Sequence, residues 1–159
     1  MRTQSTLVGI CTIFMFSFSL SVQAAPPTEG LPDACALLQP GDLKSLLGGT
    51  PSAESKPGSC IWAVSGNTNK FVANISPQTG MSAEMTFARA RKVATKDAGF
   101  SNETNLGDSA FSRLAPFGAV MLIIKQGKML QLQYRTEAAG TDKDRDALRA
   151  VAQKAIATF

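Results

Sequence analysis

The chain has 159 residues, 44% hydrophobic and 18% charged, with 16 Lys and Arg against 12 Asp and Glu and a net charge of +4. The cations are only mildly in excess and evenly spread, which argues against a nucleic-acid binder. Histidine is absent, which removes Ser-His and Cys-His nucleophile systems, His metal ligation and the usual neutral-pH proton shuttle.

Arg2 is followed by an apolar run from Leu7 to Leu20, and Val22-Gln23-Ala24 places small or aliphatic residues at the −3 and −1 positions of a cleavage site. This is the pattern of a signal peptide over residues 1–24, cut after Ala24. The run of about 14 residues falls short of the roughly 20 needed to span a bilayer. Ile10 precedes Cys11 where a lipoprotein site wants a small residue, so no lipid anchor is expected. The mature chain would hold 135 residues with no transmembrane span, soluble in the periplasm or secreted. Cys35 and Cys60 remain after cleavage, and an even pair in an exported chain reads as one disulfide. It would close a loop of 24 intervening residues, for which chain entropy gives about 3 kcal/mol.

Residues 25–32, with Pro26, Pro27 and Gly30, read as a flexible leader, and residues 33–159 as one domain. Asp33 can cap a short turn carrying Cys35, Leu37 and Leu38. A first helix follows: Pro40 suits its opening position, Asp42 its first turn, and Gly48 its stop. Leu43, Leu46 and Leu47 form its buried stripe. Residues 50–59 read as loop, Cys60–Val64 as a strand, Gly66–Asn69 as a turn and Phe71–Ile75 as a second strand.

Ser82 caps a second helix that Gly99 should follow, with Ala83, Phe87, Ala90 and Ala94 facing inward and Val93 a candidate to join them. After a polar connection over residues 101–109 and a short strand near Ala110 and Phe111, Ala119–Lys125 is the most apolar stretch. Gln126-Gly127 then turns the chain into a return strand, Met129–Thr136, that alternates Leu130, Leu132 and Tyr134 inward with Gln131, Gln133 and Arg135 outward. Thr141 and Asp144 resemble a capping box for a last helix carrying Leu148, Val151, Ala152, Ala155, Ile156 and Phe159. The expected class is α+β: an antiparallel sheet of about four or five strands packed against helices, in the order α-β-β-α-β-β-(β)-α, with one disulfide.

Chemistry is sparse. No nucleotide, hydrolase-elbow or redox motif is present, and no cofactor or metal is expected. Asp33, Asp42, Asp97, Glu103 and Asp108 could in principle supply a carboxylate pair for a His-free hydrolase, but they sit where caps and turns need acids. Asp142, Asp144 and Asp146 lack the Gly and distal Glu of a calcium loop. The candidates for a binding surface are Arg89, Lys92 and Lys96, spaced along one side of the second helix, and Gln131 and Gln133 on the polar strand face.

Asp33-x-Cys35-x-Leu37-Leu38, Pro40-x-Asp42-Leu43, Leu47-Gly48, Cys60-x-Trp62 and Leu106-Gly107-Asp108-x-Ala110-Phe111 together resemble a broad group of small exported bacterial proteins that includes LpqN-like mycobacterial lipoproteins. The resemblance implies a PsbP-like α/β sandwich with a cysteine pair at Cys35 and Cys60, and a binding or accessory role. It brings no catalytic residues, and the missing lipobox departs from the lipoprotein pattern. The expected function is therefore a non-enzymatic envelope protein that binds or inhibits another protein. A binder of a small apolar or amphipathic ligand between helix and sheet is the alternative, and a carboxylate hydrolase comes third.

Overall fold

The computed structural model describes residues 33–76 and 82–159. The expected signal peptide and leader lie outside the described residues. A 3-10 turn (Ala34–Leu37) and helix α1 (Pro40–Leu47) lead into strands β1 (Ser52–Lys56), β2 (Ser59–Ala63) and β3 (Lys70–Ser76). Helix α2 (Ala83–Ala94), strands β4 (Phe100–Glu103), β5 (Ser109–Ala115), β6 (Gly118–Lys125) and β7 (Lys128–Arg135), and helix α3 (Asp142–Thr158) complete the described chain. The strands form one antiparallel sheet in the order β1-β2-β3-β7-β6-β5-β4.

The α+β class holds, while the strand count and order differ from expectation: seven strands stand where four or five were expected. Strand β1, Ser-Ala-Glu-Ser-Lys, is exposed at every position, so it carries no alternation to read. It exists because its backbone pairs with β2, from Ser52 opposite Ala63 to Lys56 opposite Ser59. The turn between them is Pro57-Gly58, with Gly58 at φ +66, a tight hairpin in what reads as loop. Strand β4 is four residues long and sits at the other edge, in the stretch expected to be a polar connection.

Side-chain alternation divides the sheet into two faces. Toward the front point Cys60, Trp62, Phe71, Ala73, Ile75, Met121, Ile123, Leu130 and Leu132, against Leu43 and Leu47 of α1 and Leu148, Val151, Ala152 and Ala155 of α3. Most of the larger side chains here are fully buried, each contributing about 2 kcal/mol of transfer free energy. The Cys35–Cys60 disulfide forms at this face with the Cα atoms 5.0 Å apart. It ties the 3-10 turn to β2, and Trp62 stacks at a tilt on Phe71 with ring centres 5.6 Å apart.

The ends of α1 and the start of α3 follow the sequence closely. Gly48 closes α1 at φ +73, and Asp42 accepts from the Gln39 backbone N–H at 2.9 Å. Thr141 and Asp144 form the reciprocal cap of α3. Lys125 donates to the Ile156 carbonyl in the last turn of α3, where a cation suits the helix dipole.

The back face is only partly covered. Helix α2 lies on it and packs mainly against β6 and β7, burying Ala83, Phe87 and Ala94 on Phe111, Leu122, Ile124 and Met129. Val93 does not join this stripe; it is 68% exposed. The helix also stops at Ala94, five residues before Gly99.

Candidate functional site

Because α2 covers a minority of the back face, recesses remain along both of its flanks. Its position is set by Ser82, whose hydroxyl accepts from the Met85 N–H at 3.2 Å, and by Phe87, whose ring meets Phe111 at 5.1 Å. Phe100 of β4 adds a second ring contact to Phe111 at 5.8 Å. This aromatic trio anchors the helix near its middle.

On the flank facing β5 lies an open groove of about 620 Å³, with Phe87, Ala88 and Ile124 as its apolar lining and Glu84, Arg91, Lys92, Thr95, Asp108 and Ser109 around them. Positions 84, 88, 91, 92 and 95 recur at helical spacing, so a second stripe of α2, beside the buried one, forms one wall. The opposite wall depends on Gly107. At φ +63 its missing Cβ would fall 2.4 Å from the Ile124 carbonyl oxygen, so only glycine brings the chain this close. Asp108 is thereby held against the end of β6, its N–H donating to the Ile124 carbonyl at 2.7 Å and its carboxylate accepting from the Gln126 N–H at 2.7 Å.

The charges in the groove are partly engaged. Arg91 donates to Asn102 Oδ1 at 2.7 Å, which fixes the guanidinium at the rim. Among the described residues Lys92 and Glu84 have no side-chain hydrogen bond or ion pair. With a rise of 1.5 Å per residue, Glu84 and Lys92 stand roughly 12 Å apart along the helix. A molecule lying in the groove would meet the apolar side chains of Phe87, Ala88 and Ile124, the cations Arg91 and Lys92 toward one end of the helical wall, Glu84 toward the other, and the Asp108 carboxylate on the opposite wall.

The other flank holds a smaller recess of about 400 Å³ with Ala90, Val93, Val120, Leu122, Met129 and Gln131 on its walls. Of the candidates named from sequence, Lys92 reaches the larger groove and Gln131 the smaller. Arg89 points to solvent, and Lys96 lies past the end of α2 in a turn. Gln133 is on the open part of the back face, where it accepts from Arg135 at 3.0 and 2.8 Å. The structure therefore separates the expected basic stripe from the two glutamines. The groove instead recruits Arg91, Phe87 and Ile124, for which the spacing of Glu84, Ala88, Arg91 and Thr95 on α2 was the available signal.

The five candidate carboxylates sit at five separate places. Asp33 accepts from the Cys35 N–H, Asp42 pairs with Lys154 at 2.8 Å, and Asp97 pairs with Arg113 at 3.5 Å. Glu103 is buried on the front face beside Ser112 and Arg149. Asp108 alone lines the groove, where it shares the lining with Glu84 rather than with another of the five. Asp142 and Asp144 serve the first turn of α3, pairing with Arg145 and closing the cap. Among the described residues no three Asp, Glu or Cys side chains are grouped as a metal site, and no helix is long and apolar enough to cross a membrane. No family model, curated protein or solved structure matches this chain at a significant level.

Proposed function

We propose that the protein is an exported, non-enzymatic binding protein of the cell envelope, and that the groove beside α2 takes a small amphipathic molecule. The observation that supports this reading is the arrangement of that groove: the apolar side chains Phe87, Ala88 and Ile124, with Arg91 and Lys92 together at one end of the helical wall and the carboxylates of Glu84 and Asp108 elsewhere in the lining. Pockets of a few hundred Å³ that are mostly apolar with a few placed polar groups are the usual setting for small-ligand binding. The ligand's apolar body would lie on Phe87 and Ile124, and an anionic head would meet Lys92 and the Asn102-oriented Arg91. Export is supported by the signal-like N-terminal pattern and by the disulfide, which oxidising compartments make and keep. The likeness to LpqN-like exported proteins points to the same binding class.

The test uses the full-length precursor expressed in a bacterial host. Fractionation and N-terminal sequencing should find the product outside the cytoplasm, beginning at Ala25. A fluorescent fatty acid, 11-(dansylamino)undecanoic acid, should then bind the purified product saturably with a blue shift. Ala88→Trp, which fills the groove from an exposed helix position, and Lys92→Glu should each weaken it about tenfold or more. Absence of saturable binding at millimolar protein, or binding indifferent to both substitutions in folded variants, would remove the ligand reading.

A further inference from the structure

The part of the back face that α2 leaves open contains a pairing that is unfavourable for the isolated chain. Lys70 on β3 stands directly opposite Arg135 on β7, and both side chains are exposed. Like charges at directly opposed sheet positions repel. Neither is relieved by a carboxylate: among the described residues Lys70 has no ion pair, and Arg135 directs Nε and Nη2 to the amide oxygen of Gln133. Glu137, two residues beyond Arg135, is exposed and pairs with neither. The corner is thus two cations held at neighbouring positions by the backbone, with one guanidinium oriented by an amide.

Beside this pair projects Phe117, 65% exposed at the β5–β6 turn. An exposed phenylalanine on a loose loop would mean little, but this turn is clamped. Gly118, at φ +104, packs so closely on β7 that a Cβ would lie 2.0 Å from the Tyr134 carbonyl oxygen. The Gly140 N–H donates to the Ala115 carbonyl at 2.9 Å, the Thr136 N–H to the Phe117 carbonyl at 3.4 Å, and Gly118 bridges to Ala139. The segment after β7 therefore straps the turn down, and the backbone that carries the ring is held in place. Between the ring and Arg135 lies a recess of about 390 Å³ that includes Pro116, Phe117, Val120 and Gln133.

We propose that this corner docks a partner protein through an acidic side chain that enters between Lys70 and Arg135, with an adjacent apolar side chain seated in the recess against Phe117. A carboxylate there replaces like-charge repulsion with two attractions. An exposed aromatic ring on a clamped turn, beside an oriented arginine, has the composition of an interface hot spot, where aromatic residues and Arg carry most of the energy. Charge complementarity selects the partner and speeds its arrival. This surface is on the far side of α2 from the amphiphile groove and does not depend on it.

The experiment pans a phage-displayed library of random 12-residue peptides against the full-length precursor's exported product. Enriched peptides are then measured by fluorescence anisotropy. They should carry Asp or Glu next to a large apolar residue, and their affinity should fall as salt rises. Phe117→Ala, and separately the double change Lys70→Glu with Arg135→Glu, should each weaken binding at least tenfold. Both act at exposed positions, and near-UV circular dichroism checks that the fold is intact. Ala88→Trp and Lys92→Glu should leave peptide binding unchanged, which separates this site from the groove. Enrichment of peptides without acidic residues, or affinities insensitive to both sets of substitutions, overturns the proposal. So does failure to enrich any peptide while vesicles of phosphatidylglycerol and phosphatidylcholine bind in a Phe117-dependent way, since that assigns the corner to a membrane surface.

Discussion

Arg149 of α3 reaches the carboxylate of Glu103 at the sheet edge, Nη1 to Oε2 at 3.1 Å, on a glutamate side chain only 2% exposed. The contact has the geometry of an ion pair rather than an aligned hydrogen bond, since that oxygen has no hydrogen-bond partner. The other carboxylate oxygen accepts from the buried Ser112 hydroxyl at 2.6 Å. One turn earlier on α3, Arg145 donates to the Gly99 carbonyl at 2.6 Å, and Arg149 also reaches the Thr104 carbonyl at 3.0 Å. Two arginines of one helix thus grip both ends of β4, which explains how four polar residues hold an edge position. Arg149→Ala leaves a buried carboxylate with a single hydroxyl donor and should cost about 3 kcal/mol. Glu103→Gln keeps the volume, leaves the partly exposed arginine able to turn to water, and should cost less, about 1–2 kcal/mol. The double variant should cost less than the sum. Urea unfolding of the four proteins checks this, and strict additivity would show that the two groups do not interact.

Cys35→Ser removes the covalent tie between the 3-10 turn and β2. The loss should be about 3 kcal/mol for a loop of this length, read as a lower melting temperature of the oxidised protein. Under reducing conditions the wild type should approach the variant. An unchanged melt would mean that packing alone holds α1 and the turn in place.

Tyr134 is the chain's one tyrosine, so the rise in absorbance at 295 nm on ionisation reports it alone, over the constant background of Trp62. Burial pushes its phenol pKa up, and the negative charge of Asp144 adds to the effect. The hydroxyl accepts from Asn69 at 3.2 Å. The titration midpoint should lie above the ordinary value of about 10, and Asp144→Asn should lower it toward that value. Because the folded state holds this proton more tightly, its stabilising contribution is complete below about pH 10 and is lost as pH rises through the raised midpoint.

Asp42 behaves in the opposite sense. Its pKa is lowered, first by the hydrogen bond from Lys154 and then by the Gln39 N–H, with burial opposing. The contribution is present above the ordinary carboxylate range near pH 4 and is lost as pH falls through the depressed value. Since the partner lysine is largely exposed, the ion pair itself should be worth no more than about 1 kcal/mol. Asp42→Asn should therefore be less stable than wild type at neutral pH, with the gap closing as pH falls through the depressed value. A gap that widens with acid would contradict this origin.

Gly140→Ala tests the strap over the β5–β6 turn. An added Cβ would lie 1.8 Å from the Gly118 carbonyl oxygen, a backbone contact that no rotamer change relieves. The cost should be about 3 kcal/mol, whereas Gly41→Ala on α1, where a Cβ meets nothing within 4 Å, should be neutral or stabilising. Equal melting temperatures for the two variants would show that the strap yields.

What could be read from sequence depended on whether a segment's role is written in its side chains. The β6–β7 hairpin shows itself because Leu130, Leu132 and Tyr134 alternate with polar residues and Gln126-Gly127 marks the turn. The three helices show themselves by Pro40, Ser82 and Thr141 at their starts. Strands β1 and β4 do not, because one is exposed throughout and the other is positioned by arginines more than forty residues away. Val93 fits a helical stripe in sequence, yet α2 is rotated about the Phe87–Phe111 contact so that this residue faces out. The groove was only partly visible, since one wall follows from α2 periodicity, but Asp108 and Ser109 arrive there through the backbone conformation of Gly107. The opposed Lys70 and Arg135 could not be foreseen without the register of two strands separated by α2 and three further strands.

The bond between Cys35 and Cys60 encloses the whole of β1, together with α1, inside a covalent ring. An exposed edge strand is ordinarily free to leave its sheet and complete the sheet of a second molecule, the route by which domains exchange segments and build fibres. Here both ends of that strand are leashed to the same β2 it pairs with, one by the hairpin and one through the ring. Exchange of β1 between copies would require the Pro57-Gly58 hairpin to open and the ring to swing away from its own β2. In an oxidising compartment the polar edge strand is thereby kept as the property of its own molecule.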